Sequence, residues 1–285
     1  MQGTVIAAYG KRYGVELEDG QKVSCVTRGK KNDLACGDIV ELKLTGGGEG
    51  VIERFLPRKS LLYRSNAYRT KLLAANVSQI VIVLATQPSF YEGLLNRCLI
   101  AAEAAGIKAL IVLNKCDMAT GSALETLQPY QALGYPLLPI SAVHDISPLR
   151  PYLHGHTSVL VGQSGMGKST IVNALCPDLK VRTQEISTVL DSGKHTTTAA
   201  QLYHLDACSH LIDSPGLQEF GLYHLNAEQL EQAFVEFRPY LGKCRFHDCR
   251  HLKEPDCAIT AAVDAGRIAR QRLDCFRELL AEIGP

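Results

Sequence analysis

The stretch that decides the fold is SVLVGQSGMGKSTIVNAL, residues 158–175. Its start, SVLVG, has the apolar and β-branched composition of a buried strand, and its end, STIVNAL, has helical spacing. Between them, GQSGMGKS fits G-x-x-x-x-G-K-[ST], a loop whose backbone N–H groups and following helix N-terminus surround phosphates. The predicted phosphate-binding residues are Gly162, Gln163, Ser164, Gly165, Met166, Gly167, Lys168, Ser169 and Thr170.

Two side chains of this loop have specific chemical tasks. Lys168 is expected to reach the outer phosphates and act in catalysis, and the Ser169 hydroxyl is expected to bind Mg²⁺. Downstream, DSPG follows the apolar HLI. This placement predicts Asp213 as a second magnesium contact and the catalytic Gly216 N–H opposite the γ-phosphate.

The polar segment DSGKHTTTAA, residues 191–200, lies between these two motifs. Thr196 or Thr197 could complete the magnesium shell, and the sequence favours neither. Ras-type enzymes orient the attacking water with a Gln after D-x-x-G, but Leu217 stands at that place here. His195 is the candidate for this catalytic role, and an ordinary surface histidine is the alternative.

A guanine-reading motif comes before the phosphate loop, in LIVLNKCD, residues 110–117. The Asp117 carboxylate can accept hydrogen bonds from the ring N–H and exocyclic amine of guanine, a donor pair that adenine lacks. ISA, residues 140–142, follows the next strand, where GTPases place a backbone N–H against the guanine oxygen. A helix N-cap is the alternative explanation of NKCD taken alone. The predicted base-reading residues are Asn114, Lys115, Asp117, Ser141 and Ala142.

The order of these motifs is rotated relative to a Ras-type chain. A sheet assembles by lateral packing, and chain termini often lie close together, so a rotated order can build the same site. Six apolar segments alternate with helical patterns, which predicts a parallel sheet with helices on both faces. We therefore predict a circularly permuted α/β P-loop GTPase domain over residues 77–224.

The flanking regions differ in character, so a multidomain chain is predicted. Residues 1–56 hold five short alternating segments, which predict an all-β OB-fold barrel that binds nucleic acid; a purely structural barrel is the alternative. Residues 57–76 are predicted as a basic linker. Residues 225–285 are predicted as a mostly helical zinc-binding domain. The basic residues expected in the barrel loops are Lys11, Arg12, Arg28, Lys30 and Lys31.

The zinc prediction rests on Cys244, Cys249, His251 and Cys257, spaced C-x4-C-x-H-x5-C. Three thiolates and one imidazole suit a closed tetrahedral structural site. Three of the ten cysteines fall within residues 244–257, which argues against scattered free thiols. His247 is expected to be exposed or to lie outside the ligand set.

Charge and hydropathy narrow the class of protein. Residues 1–71 hold 13 Lys and Arg against 8 Asp and Glu, a net charge of +5 in a chain whose total is +1. This basic start indicates a polyanionic partner or simply a solvated surface. The sequence shows neither an apolar run of membrane-spanning length nor a secretory layout at its start, so a cytoplasmic protein without membrane contact is expected.

The order NKCD, ISA, GQSGMGKS, GKHTTT and DSPG, between a barrel and a Cys/His cluster, resembles the RsgA (YjeQ) family over essentially the whole chain. These are bacterial GTPases of small-ribosomal-subunit assembly. The resemblance implies an OB-fold, a permuted GTPase domain, one structural zinc held by the Cys₃His set, and hydrolysis stimulated by the small subunit. It also supports the water-positioning role of His195.

The expected protein is thus a monomer that binds GTP or GDP with Mg²⁺. It binds the small subunit through rRNA, with Arg245, Arg250 and Lys253 as candidate contacts, and hydrolysis releases it. Two other functions stay open at this point. One is a P-loop ATPase or small-molecule kinase, and the other is a nucleic-acid-binding scaffold with a regulatory nucleotide site.

Overall fold

The N-terminal strands close into a barrel. The computed structural model describes residues 1–28, 34–66, 69–118, 120–177, 200–214 and 221–284. The five predicted segments form β1 (Gln2–Tyr9), β2 (Arg12–Leu17), β3 (Lys22–Thr27), β4 (Ile39–Gly46) and β5 (Glu49–Phe55). They run in the order β1-β2-β3-β5-β4, and β4 pairs back onto β1. Alternate residues such as Val5, Val15 and Leu42 fill the interior, so the alternating pattern of the sequence becomes a barrel core.

A β-hairpin occupies much of the predicted linker. Strands β6 (Leu61–Asn66) and β7 (Arg69–Ala75) pair antiparallel in a sheet of their own. The chain just before them is fixed to the barrel, because Arg58 Nε and Nη2 each donate to the buried Asp38 carboxylate at 2.7 Å. Leu62 and Leu73 enter the main core. The segment is therefore packed structure rather than a free connector.

A parallel sheet forms the centre of the molecule. Its strands are β8 (Gln79–Ala85), β9 (Lys108–Asn114), β10 (Leu137–Pro139), β11 (Thr157–Val161) and β13 (His210–Asp213), in the order β10-β9-β8-β11-β13. Its helices are α1 (Glu92–Ala104), α2 (Gly121–Ala132), α3 (Arg150–Leu153) and α4 (Lys168–Leu175). Every residue of β8 is buried, since Ile80 and Ile82 face the α1 side and Val81 and Val83 face the α4 side. Two covered faces explain its unbroken apolar run.

One predicted strand requires a correction. β12 (Gln201–His204) is antiparallel to β13, not parallel as predicted. Residues 205–209 connect the two strands, and a turn of that length cannot make the crossover that parallel pairing needs. β12 also pairs with β1 at Ala7 and Gln201, so the barrel and the central sheet are continuous.

The C-terminal region is helical at its two ends and irregular between them. Its helices are α5 (Ala227–Ala233), α6 (Ala258–Asp264) and α7 (Arg270–Ile283). Residues 241–257, which hold the Cys/His cluster, have neither helix nor strand. The prediction of a mostly helical region is therefore confirmed in part. In the portions of the chain that the structure describes, no helix has the length and apolar character needed to cross a membrane.

The C-terminal region and α1 share one hydrophobic core. Phe234, Phe237 and Phe276 belong to the same buried cluster as Leu95 and Leu99 of α1. The three rings contact one another, with centroids 4.9 to 5.4 Å apart. The helical region thus covers the outer face of α1 rather than forming a separate core.

Candidate functional sites

The predicted phosphate loop lies between the end of β11 and the start of α4, as the sequence pattern required. Two of its glycines cannot carry a side chain. A Cβ on Gly162 would lie 2.3 Å from the Val83 carbonyl oxygen, and one on Gly167 would lie 2.3 Å from Asn114 Nδ2. Gly167 also has φ of +93°, a left-handed conformation that favours glycine. The loop is therefore pressed against the ends of β8 and β9.

Lys168 is the first residue of α4, which follows β11, and Asp213 is the last residue of the neighbouring parallel strand β13. Lys168 Nζ donates to the carbonyl oxygens of Gly162 at 2.6 Å and Gln163 at 2.8 Å. Burial lowers the pKa of Lys168, and Asp213 opposes that shift. Burial raises the pKa of Asp213 to about 6, and Lys168 opposes it in turn. Each of the two groups therefore favours the charged form of the other, and Ser169 follows Lys168 in the first turn of α4.

Asn114 joins the segments that are predicted to read the base and to bind the phosphates. It is 2 % exposed; its Nδ2 donates to the Met166 carbonyl oxygen at 3.0 Å and its Oδ1 accepts from the Ala142 N–H at 3.0 Å. One side chain thus connects the end of β9, the phosphate loop and the segment after β10.

Lys115 and Asp117 are placed by different contacts. Lys115 has φ of +63°, and its Nζ donates to the Gln87 and Gly165 carbonyl oxygens, both at 2.8 Å. Asp117 is exposed, and its Oδ1 accepts from Ser141 Oγ at 2.5 Å. This hydrogen bond is the largest cause that lowers the pKa of Asp117. The carboxylate is therefore a charged acceptor with a fixed orientation, as base recognition requires.

One predicted site residue makes a contact that was not expected, and several others lie outside the described residues. The Ala142 N–H already donates to Asn114, so its contact with a guanine oxygen stays a prediction. His195, Thr196, Thr197, Gly216 and Leu217 lie outside the described residues. The remaining loop residues are where the pattern placed them, with Met166 buried at 1 % exposure and Ser164 exposed; Thr170 lies in α4.

Sequence reasoning missed the segment that connects β8 to α1. The Tyr91 N–H at the start of α1 donates to Gln163 Oε1 at 2.9 Å, and Lys115 binds the Gln87 carbonyl. These contacts attach the start of α1 to the phosphate loop. TQPSFY, residues 86–91, carries no recognised nucleotide-binding pattern, so the sequence offered no signal for it.

The Cys/His prediction corresponds to one compact cluster. The Cys244, Cys249 and Cys257 Sγ atoms lie 3.6, 3.5 and 3.2 Å from His251 Nδ1, and all four atoms lie within 4.8 Å of one another. A tetrahedral zinc with bonds of about 2.3 Å to sulfur has ligand–ligand edges of about 3.8 Å. The Cys244 and Cys257 sulfurs are 4.0 Å apart. The donor set and its size therefore fit zinc.

Backbone donors support thiolates in this cluster. The Ala258 N–H donates to Cys244 Sγ at 3.3 Å and the Thr260 N–H donates to Cys257 Sγ at 3.5 Å. Burial acts to raise the pKa of Cys257, but hydrogen bonds from Thr260 and the nearby His251 outweigh it and lower that pKa to about 7. Burial raises the pKa of Cys249 to about 12, so the environment favours the deprotonated sulfur that metal ligation needs at Cys257 and opposes it at Cys249. His247 is fully exposed and outside the cluster, as expected.

Comparison with known proteins agrees with this architecture. The family model of RsgA GTPase matches residues 55–223. A protein of Nitrosospira multiformis called small ribosomal subunit biogenesis GTPase RsgA is 52% identical over 285 residues, 99% of this chain and 91% of the relative. A Neisseria gonorrhoeae protein of the same name is 51% identical over 280 residues, 98% of this chain and 91% of the relative.

Solved structures show the same fold. The crystal structure of YjeQ from Thermotoga maritima superposes with a TM-score of 0.75 at 30% identity, covering 100% of this chain and 99% of that one. YloQ, described as a circularly permuted GTPase, gives 0.70 at 29% identity, covering 99% and 94%. The predicted barrel, permuted P-loop domain and Cys/His region are thereby confirmed as a fold. The chain belongs to the RsgA family of GTPases.

Proposed function

We propose that this GTPase acts in late assembly of the small ribosomal subunit, binds its rRNA, and leaves the particle when GTP is hydrolysed. The observation that carries the proposal is identity above 50% over almost the whole chain to proteins named for small-subunit biogenesis. We further propose that it works as a cytoplasmic monomer. Both competing functions, a small-molecule kinase and a scaffold without catalysis, fit a GTPase family poorly.

Guanine nucleotide selection would rest on the loop after β9. Asp117, which Ser141 orients through one carboxylate oxygen, would accept hydrogen bonds from a base with two neighbouring N–H donors. Asn114 and Lys115 hold that loop against the phosphate loop, so base and phosphates are bound by one rigid unit. Adenine lacks this donor pair, so its binding would leave the Asp117 carboxylate without hydrogen-bond partners.

Phosphate binding would replace the internal contacts of Lys168. The ammonium that donates to two loop carbonyls would move to phosphate oxygens that carry full charge. The Ser169 hydroxyl and the Asp213 carboxylate are oxygen donors of the type Mg²⁺ prefers, and the ion supplies positive charge to the phosphates. Thr196 or Thr197 would complete this set.

Hydrolysis would depend on the segments around residues 195 and 216. We propose that His195 orients the attacking water and that the Gly216 N–H meets the γ-phosphate, because Leu217 cannot hold water. Alanine in place of His195 should leave nucleotide affinity unchanged and lower the turnover that subunits stimulate. Unchanged stimulated turnover in this variant would remove His195 from the mechanism.

The zinc ligands Cys244, Cys249, His251 and Cys257 would hold the irregular loop 241–257 in place. Zinc supplies a tetrahedral cross-link and no redox chemistry. Within this loop, Arg245 pairs with Asp256 at 3.0 Å. Arg250 and Lys253, also in the loop, form no salt bridge with an acidic side chain among the described residues, so their charges could meet phosphate. In the barrel, Arg12 and Arg28 form exposed pairs with Glu49 and Glu53 at 3.6 and 3.9 Å. Such exposed pairs are weak and can exchange for rRNA phosphates.

Phosphate release with and without purified small subunits tests the proposal. We expect slow turnover by the protein alone and a large rise with subunits, with GDP but not ADP as an effective competitor. Lys168→Ala is the control for contaminating activity. Turnover that subunits do not change would contradict the assembly function while leaving the GTPase assignment intact. Equal subunit affinity at fixed salt with GDP and with a non-hydrolysable GTP analogue would contradict release on hydrolysis.

A further inference from the structure

His251 uses both nitrogens of its ring. Nδ1 faces the three cysteine sulfurs, at 3.2 to 3.6 Å. Nε2, on the opposite side, hydrogen-bonds to the Glu231 carboxylate. A ring that offers Nδ1 to a metal must carry its proton on Nε2, and that proton is the one a carboxylate can accept. The two contacts therefore require the same tautomer.

The contact between Glu231 and His251 is built into the fold. The His251 side chain is 3 % exposed and that of Glu231 is 24 % exposed, so water competes little for the bond. The ring packs against Phe237 and Phe276, and Arg277 donates to the His251 carbonyl oxygen at 2.9 Å. His251 thus has a fixed position from its backbone and its ring, and its polar edge is directed at one carboxylate.

We propose that Glu231 is a positioning residue for the metal site, acting through the charge of its carboxylate. It accepts the Nε2–H of His251, holds the Nδ1 lone pair toward the ion, and makes the imidazole a stronger donor. Carboxylates that contact metal-bound histidines commonly change metal affinity by about 10- to 100-fold. The inference rests on the proposed zinc site, which concerns the four ligands and not Glu231.

The location of Glu231 gives this contact a wider consequence. Glu231 lies on α5, the first helix that the structure describes after the DSPG motif in the chain. The same helix buries Leu230 and Ala233 in the core shared with α1. Metal occupancy and the position of α5 are therefore linked through one hydrogen bond between residues 20 positions apart.

The release of zinc from the full-length protein tests the proposal. Zinc-loaded wild type, Glu231→Gln and Glu231→Ala are mixed with excess of a colorimetric chelator, and the release rate is followed by absorbance. Glutamine keeps the length and an acceptor oxygen but removes the charge. We expect release from Glu231→Gln to be about tenfold faster than from wild type, and release from Glu231→Ala to be faster still.

Glu228 provides a matched control, because it is on the same helix and exposed. Glu228→Gln and Glu228→Ala should release zinc at the wild-type rate. Equal rates for zinc-loaded wild type and Glu231→Gln would overturn the proposal, since a purely structural acceptor would be satisfied by the amide. Wild type that contains no stoichiometric metal by elemental analysis would instead overturn the zinc site itself. Because the glutamine variant is nearly isosteric, the test does not depend on the alanine variant folding.

Discussion

Asp117, the proposed guanine-reading residue, is oriented by one hydrogen bond. Ser141 holds one carboxylate oxygen at 2.5 Å, which leaves the other for a base. We predict that Asp117→Asn shifts preference from GDP toward XDP, because xanthine carries an oxygen where guanine carries its exocyclic amine. Competition against a fluorescent nucleotide measures the ratio of affinities.

Asp145→Asn is a suitable control for this experiment. Asp145 is also exposed and lies on the loop after β10, where its carboxylate accepts the Ser147 N–H at 2.8 Å. Its substitution should leave the GDP to XDP ratio at the wild-type value. An Asp117→Asn protein that retains full preference for GDP would show that another residue reads the base.

Magnesium dependence should vary with pH through Asp213. Burial raises the pKa of its carboxyl to about 6, and the proton and Mg²⁺ compete for the same oxygens. The apparent Mg²⁺ affinity should therefore be constant above about pH 7 and should fall below about pH 6, approaching tenfold per pH unit. Magnesium titrations of nucleotide binding between pH 5 and 8 measure this change. A midpoint that stays constant across the range would exclude Asp213 as the titrating magnesium contact.

At the scale of single residues, the spacing of the motifs correctly located several candidate site residues in the fold, while their roles stay predictions. Gly162, Lys168 and Asp213 are at strand and helix ends where local pattern is strong. Glu231 was not predictable, because it belongs to no motif and its partner is distant in the chain. Gln163 was predicted as a residue of the phosphate loop, but its contact with the Tyr91 N–H was not, because Tyr91 is distant in the chain.

Helix α1 is the element that connects the nucleotide site with the C-terminal region. Arg97 Nη1 donates to Glu282 at 2.9 Å, and Glu103 accepts from Arg238 at 2.6 Å. Arg97 lies in the middle of α1 and Glu103 lies near its C-terminal end, whereas the Tyr91 N–H just before the helix donates to Gln163. The C-terminal region is therefore attached to the middle and the C-terminal end of α1.

Arg272 is the buried member of this interface. It donates to Glu236 at 2.5 Å and to Asn96 of α1 at 2.6 Å, and the side chains of Arg272 and Glu236 are 7% and 4% exposed. We predict that Arg272→Ala lowers the free energy of unfolding by about 3–5 kcal/mol, because it leaves a buried carboxylate without its partner. Urea unfolding followed by circular dichroism measures the loss.

Arg270 on the same helix supplies the comparison. Its pair with Asp264 is exposed on both sides, so Arg270→Ala should cost at most about 1 kcal/mol. Similar losses for the two variants would mean that the Arg272 pair is not a stability determinant.

The elements themselves were predicted with unequal success. The five barrel strands alternate in character, and glycines lie at the connections β1–β2, β2–β3 and β4–β5, so their pattern was informative. The hairpin at 61–75 was missed because its basic composition and the lack of a Gly or Pro turn suggested a linker. β12 was placed in the right sheet with the wrong direction, because period and composition do not encode strand direction.

At the scale of the whole molecule, the C-terminal region shares its core with α1. This shared core determines how far structural changes would spread if the metal were removed. Phe237 contacts the ring of His251 and lies in the cluster that includes Leu99 of α1. We predict that metal chelation or Cys249→Ala raises amide hydrogen exchange in α5, α6 and the outer face of α1. Strands β2 and β3 of the barrel, with their own core, should keep their protection.

Hydrogen exchange with and without chelator distinguishes a C-terminal region that shares its core with α1 from a zinc domain that folds independently. Exchange that increases only in residues 225–284 would show that the C-terminal region unfolds alone. The sequence predicted a separate domain because its motifs are separate along the chain. The continuity of the core could not be predicted, since it depends on which apolar faces meet.

The permuted order, by contrast, followed from the sequence alone. Base-reading and phosphate-binding motifs are each local, and a parallel sheet brings all their strand ends to one edge. Asn114 then bridges the two halves, so the site is one unit although its parts are far apart in the chain.

During translation, α1 is made before the C-terminal region that covers it. Leu95 and Leu99 leave the ribosome well before Phe234 and Phe276, which bury them in the finished protein. Until then the nascent chain presents an apolar helix face to the cell, which favours aggregation or capture by chaperones. A message that stopped ahead of residue 227 would thus encode every predicted nucleotide-binding residue and still yield an insoluble product.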